Sequence, residues 1–126
     1  TLRFPSGLPL TYKSLKATQN DQGKTEYVYT GRYGVGRIYG GKLVENVCQG
    51  IARCIIGEQM IRIAKRYDVV MTVHDSVGVV VPDARLEAAL DYIEECMRWV
   101  PAWAAHLPVD CEAKYGRSYA VDQKRK

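Results

Sequence analysis

The chain reads as an α+β protein: a small antiparallel sheet with two main helices packed on it. Three observations predict this. Residues 42–67 and 83–100 repeat apolar side chains at helical spacing. Between them lie two valine-rich runs, short and β-branched, as strands prefer. The flanking segments alternate or break at Pro and Gly turn signals. At 126 residues, with 47% hydrophobic and 25% charged residues, the composition is that of one ordinary globular domain. It excludes collagen-like, coiled-coil and wholly disordered chains. No apolar run reaches the ~18–20 residues of a membrane span, so no membrane partner is expected. The chain begins at Thr1, Met60, Met71 and Met97 are all internal, and Thr1–Phe4 lacks the apolar segment of a signal peptide. An excerpt from a longer protein is the simplest expectation; removal of an initiator methionine is the competing one.

Residues 1–41 are expected to form short strands and turns. Pro5-Ser6-Gly7 separates Leu2–Phe4 from Leu8–Tyr12, Asn20–Gly23 reads as a second turn, and Glu26–Thr30 alternates. Gly31, Gly34, Gly36, Gly40 and Gly41 read as a flexible connector, since their spacing is not that of a nucleotide-binding loop. Helix 42–67 changes face. Val44, Val47, Cys48, Ile51 and Ile55 form the apolar side of its first half, and Ile56, Met60, Ile63, Ala64 and Tyr67 that of its second. Opposite the first set, Asn46, Gln49, Arg53 and Gly57 share one polar stripe. Such a stripe suits either a groove edge or a solvated face.

Residues 69–81 form a hairpin, Val69–Val73 and Val77–Val81 around His74-Asp75-Ser76, ended by Pro82. Tight hairpins favour Asn-Gly or Asp-Gly because they need positive φ, and no glycine is present here. A local rule broken at a polar tip marks a functional site or else a merely solvated turn. Helix 83–100 starts with Asp83 as N-cap and buries Leu86, Leu90, Ile93, Met97 and Val100, leaving Glu87, Asp91, Glu94, Glu95 and Arg98 in solvent. Pro101 breaks it, and Trp103 and Leu107 pack over a core edge. Residues 109–114 form a half-buried terminal strand, and the tail Gln123–Lys126 frays.

Charge is uneven. Residues 1–67 hold 11 Lys and Arg against 4 Asp and Glu, whereas residues 68–126 hold 7 against 10. A basic half suits a polyanion such as nucleic acid, although a modest positive balance also occurs without one. Cys48, Cys54, Cys96 and Cys111 form no CxxC pair and read as free thiols of an intracellular protein. Zinc-ligand spacing is missing, and His74 and His106 are too few for a histidine-rich hydrolase centre. An acid at a hairpin apex suits Mg²⁺, which takes one or two carboxylates plus water and phosphate oxygens.

Val73-His74-Asp75-Ser76-Val77 on a hairpin after a long helix resembles motif C of family A DNA polymerases. Tyr39-Gly40-Gly41-Lys42-Leu43-Val44-Glu45-Asn46-Val47-Cys48-Gln49-Gly50-Ile51-Ala52-Arg53 is similar to the entry of the preceding helix in the bacteriophage and prophage branch, and Leu107–Glu112 through Gly116 to the last strand of that palm. The resemblance covers roughly residues 8–118. It implies a palm-like fold in which Asp75 binds the two catalytic Mg²⁺ ions, with His74 beside the primer 3′ end. Gln49, Asn46 and Arg53 would contact the duplex near its minor groove. Primer-template DNA and a deoxynucleoside triphosphate would be the partners, and the bacterial or phage-infected cytoplasm the compartment. Ser76 stands where the family usually has Glu. The other metal-binding aspartate and the fingers helix have no counterpart here, so the segment alone is expected to be inactive. A duplex-binding module without chemistry, and a structural domain that dimerises through exposed palm surfaces, are the rival readings.

Overall fold

The computed structural model describes residues 1–124, with side chains described for residues 1–120. The fold is α+β, with small antiparallel sheets and two main helices, as the sequence predicts. The chain forms two compact units, Thr1–Cys54 and Ile55–Lys126, and the boundary falls inside the long helix.

In the first unit β1 (Leu2–Arg3) pairs with β2 (Pro9–Leu10) around a turn in which Gly7 takes φ +88°. Next come β3 (Lys13–Gln19), β4 (Thr25–Gly31) and β5 (Gly34–Ile38), a three-stranded antiparallel sheet in that order. Asn20 closes the β3–β4 turn, its Oδ1 accepting from the N–H groups of Gln22 and Lys24 at 3.0 and 2.9 Å. The glycine-rich stretch is not a flexible connector. Gly34–Ile38 is a strand, and Gly40 and Gly41 open helix α1 (Gly40–Ile63). Gly36 pairs with Tyr29, and a Cβ on Gly36 would lie 2.8 Å from the Tyr29 ring. The glycine therefore makes room for an aromatic side chain.

In the first half of α1 Val47, Ile51 and Ile55 turn inward as its apolar residues predict, but the buried face is shifted away from Val44 and Cys48. Val44 is 62% exposed and Cys48 is exposed, whereas Leu43, Val47, Gly50 and Cys54 turn inward at i, i+4, i+7 and i+11. The physical reason is Gly50. The Phe4 ring sits where a Cβ on Gly50 would be, so helix and ring approach closely. Ser6 Oγ also donates to Cys54 Sγ at 2.9 Å. Glycine contributes nothing to an apolar count, so the rotation was hidden.

The second unit takes the rest of α1, then β6 (Asp68–Val73) and β7 (Ser76–Val80), a 3-10 turn at Asp83–Arg85, and α2 (Leu86–Arg98). A 3-10 turn at Ala102–Ala104 and the β8 (Lys114–Ser118) and β9 (Val121–Lys124) hairpin follow. Ile55, Ile63, Ala89, Leu90, Cys96 and Ala104 are buried, and so, at 0% exposure, is Gln59. Its Nε2 donates to the carbonyls of Met97 and Trp99 at 2.7 and 2.8 Å. In a continuing helix the Met97 carbonyl would accept from residue 101, but Pro101 has no N–H. Gln59 supplies the missing donor at the end of α2. Reciprocally, Tyr92 of α2 donates its hydroxyl to the Arg62 carbonyl, at 2.7 Å, near the end of α1. Arg62 lies 4.5 Å over the Trp99 ring and Arg66 4.3 Å over Tyr92.

Four further expectations are corrected. Asp83 does not cap α2: it lies in the preceding 3-10 turn and pairs with Arg117 at 2.8 Å. Leu107 is 45% exposed, while Trp103 is half-buried. Residues 109–113 alternate in burial as a strand would, yet pairing starts only at Lys114. Arg98 holds this segment, donating from Nε to Asp110 Oδ1 at 2.8 Å and from Nη2 to the Cys111 carbonyl at 3.4 Å. Gln123 and Lys124 of the expected frayed tail pair with Tyr115 and Lys114 in the β8–β9 hairpin; Arg125 and Lys126 lie outside the described residues.

The Arg98 guanidinium and the Cys111 N–H hold the Asp110 carboxyl below its ordinary range, while burial pushes the Cys111 thiol up. A carboxyl depressed in the folded state stabilises above its unfolded pKa, and that contribution disappears as pH falls through the folded one. Asp110→Asn should therefore lower the urea midpoint of the intact protein near neutral pH, with the gap closing in strong acid. A gap independent of pH would assign the effect to packing.

Candidate functional site

The hairpin β6–β7 carries the candidate site of the second unit. Val73 pairs with Ser76, so His74 and Asp75 alone form the turn, and Ser76 is the first residue of β7. His74 takes φ +54°, the left-handed conformation that a tight hairpin needs and that glycine usually supplies. Ser76 Oγ donates to the Val73 carbonyl at 2.7 Å, which closes the turn and commits the hydroxyl to it. His74 and Asp75 are exposed, and the Asp75 carboxylate has no hydrogen-bond or ion-pair partner among the described residues. Asp68 pairs with Val80 at the far end of the strands, roughly 17 Å of strand away.

A left-handed non-glycine residue costs about 1–2 kcal/mol. Glycine there would lose about 0.4–1 kcal/mol through added freedom of the unfolded chain. His74→Gly should thus raise stability by roughly 0.5–1 kcal/mol, read as a higher urea midpoint at unchanged m. A higher midpoint would show that the imidazole is not needed for the hairpin. A lower midpoint would instead show that the imidazole supports the hairpin.

The polar stripe of α1 is the candidate site of the first unit, taken by itself. Asn46, Gln49 and Arg53 lie on one helix face in the first unit, spanning roughly 10 Å along the axis. Gly57, the fourth member, is half-buried and belongs to the second unit. Gln49 is exposed and donates to Glu45 Oε1 at 3.3 Å; Glu45 also pairs with Lys42 at 2.9 Å. Arg53 is exposed. Asn46 is half-buried, and its Nδ2 donates to the Tyr12 hydroxyl at 2.8 Å. Sequence reasoning missed Tyr12, since nothing local links residues 34 apart. The Glu45–Gln49 pair was available from its i, i+4 spacing.

Among the described residues no three His, Cys, Asp or Glu side chains gather into a metal cage. The donor chemistry of the apex fits Mg²⁺ as one ligand of several: Asp75 offers a hard, accessible carboxylate oxygen, and such an ion completes its shell with water and phosphate. A cavity of about 480 Å³ lies elsewhere in the second unit, lined by Arg62, Asp91, Glu94, Glu95, Arg98 and Trp99. It contains none of the expected site residues. No helix among the described residues is long and apolar enough to cross a membrane.

The chain is similar along nearly its whole length to a protein of Bacillus phage SP02 named DNA polymerase. Identity is 34% over 128 aligned residues, covering 96% of this chain. The chain spans only about a fifth (19%) of that relative's length. No protein-family model matches the chain, and no solved structure does.

Proposed function

We propose that the chain is the C-terminal palm part of a DNA-directed DNA polymerase of the family A kind, acting in template-directed nucleotidyl transfer to a primer 3′-OH. The observation that carries this reading is the unpartnered Asp75 carboxylate, raised on a two-residue turn in a chain aligned with a phage DNA polymerase. In this reading Asp75 would hold Mg²⁺ together with a second aspartate supplied by the rest of the parent protein. Bound Mg²⁺ would lower the pKa of the primer hydroxyl and neutralise charge on the leaving pyrophosphate. His74 would lie against the primer terminus.

The first unit would hold the duplex. It carries 8 Lys and Arg against 3 Asp and Glu, a balance suited to phosphate. Gln49, Asn46 and Arg53 would donate to minor-groove acceptors, checking pair geometry more than base identity. Primer-template DNA and a deoxynucleoside triphosphate would be the substrates, in the cytoplasm of a bacterium or an infected host.

A primer-extension assay tests the reading. The full-length protein with Mg²⁺ and the four triphosphates should extend a primer, and the 126-residue chain alone should not. Robust extension by the chain alone would show that its metal site is complete without a second aspartate. Salt-sensitive duplex binding by a full-length protein that never extends a primer would favour a binding module.

A further inference from the structure

We propose that Tyr12 is a positioning residue for duplex contact, fixing the amide of Asn46, and that the β3–β4–β5 sheet braces it. This rests on the reading of Asn46 as a DNA contact. An asparagine inside a helix tends to turn its amide toward the nearby backbone, in competition with any outward role. Here the amide is held elsewhere: Nδ2 donates to the Tyr12 hydroxyl at 2.8 Å. One amide hydrogen is thereby fixed, and the second hydrogen and Oδ1 keep a defined plane.

Tyr12 is fixed in turn. Its ring meets Tyr29 edge-on, with centroids 5.0 Å apart and planes at 78°. That geometry is favourable between aromatic quadrupoles and restrains both rings. Tyr29 lies over Gly36 on the neighbouring strand, where a Cβ would come within 2.8–3.0 Å of the ring. Gly36, Tyr29, Tyr12 and Asn46 therefore form one continuous contact path from the middle of the sheet to the polar stripe of α1. All four are half-buried, so the path is shielded enough for its hydrogen bond to count. Through this packing the Tyr29–Gly36 pair of the sheet restrains the Tyr12 ring and with it the direction of the hydroxyl.

The test is a double-mutant cycle in the full-length protein with primer-template DNA. Tyr12→Phe keeps the ring and removes the hydroxyl, so the fold should hold. It should raise KM for primer-template about fivefold, the scale of one net hydrogen bond, with kcat changed less than twofold. Discrimination against a mispaired primer terminus should fall in the same variant. Asn46→Ala should give an effect at least as large, and adding Tyr12→Phe to it should cost nothing more, because the hydroxyl acts through the amide. Additive effects, or an unaltered KM in Tyr12→Phe alone, would overturn the positioning role while leaving Asn46 as a contact. An unaltered KM in Asn46→Ala would overturn the DNA-contact reading itself, and the proposal with it.

Discussion

Alanine at Asp75 in the full-length protein is expected to lower kcat for nucleotide incorporation by at least about a thousandfold while leaving the fold and DNA binding nearly intact. The magnitude follows from the role proposed for Asp75. Charge stabilisation by a bound metal ion supplies several kcal/mol to a phosphoryl transfer, and about 1.4 kcal/mol corresponds to a factor of ten in rate. The fold should be insensitive because Asp75 is exposed and has no side-chain partner among the described residues. Surface changes of this kind stay within about ±0.5 kcal/mol. Removing a negative charge beside phosphates should also leave duplex affinity equal or slightly higher.

Single-nucleotide incorporation, paired with a binding assay at fixed salt, checks both halves. Asp75→Asn should behave like alanine, since an amide oxygen is a poor substitute for a carboxylate on a hard cation. Ser76 will not stand in for the lost carboxylate, because its hydroxyl is committed to the Val73 carbonyl. Undiminished synthesis by the alanine variant would remove Asp75 from the chemistry and leave the basic first unit as the functional element.

The apex was readable before the structure because it violates a local rule. A two-residue turn without glycine had to place some residue at positive φ, and His74 is that residue. The helices and strands around it followed from periodicity, which reports burial one element at a time. What periodicity could not supply were contacts between residues far apart in the chain. Gly50 rotates the first half of α1 because Phe4 needs its missing side chain. Arg98 takes up the segment after Pro108 with its guanidinium, so alternation there did not mean strand pairing. Tyr12 reaches Asn46 across 34 residues. In each case a side chain, or the lack of one, does what the local pattern assigned to backbone or to apolar surface.

Gln59 is the strongest instance, and Gln59→Leu is expected to destabilise the intact protein by roughly 2–3 kcal/mol despite adding an apolar side chain to a fully buried position. Each orphaned buried polar group costs about 1–3 kcal/mol, and the substitution orphans two, the carbonyls of Met97 and Trp99. Pro101 cannot replace either bond. One term works the other way. Gln59 Oε1 is buried without a protein partner, so removing the amide also removes a desolvated acceptor; the expected loss is therefore less than twice a single orphan. Gln59→Glu separates hydrogen bonding from volume. A carboxylate there would face two carbonyl oxygens, so the folded state would favour its neutral form and raise its pKa. Stability of that variant should be greatest below the unfolded carboxyl pKa, where the protonated group can still donate one bond, and should fall as pH rises through the raised folded value. Urea midpoints measured between acid and neutral pH read this directly. A leucine variant as stable as the natural chain, or a glutamate variant without that pH dependence, would mean that the end of α2 does not depend on the donor from α1.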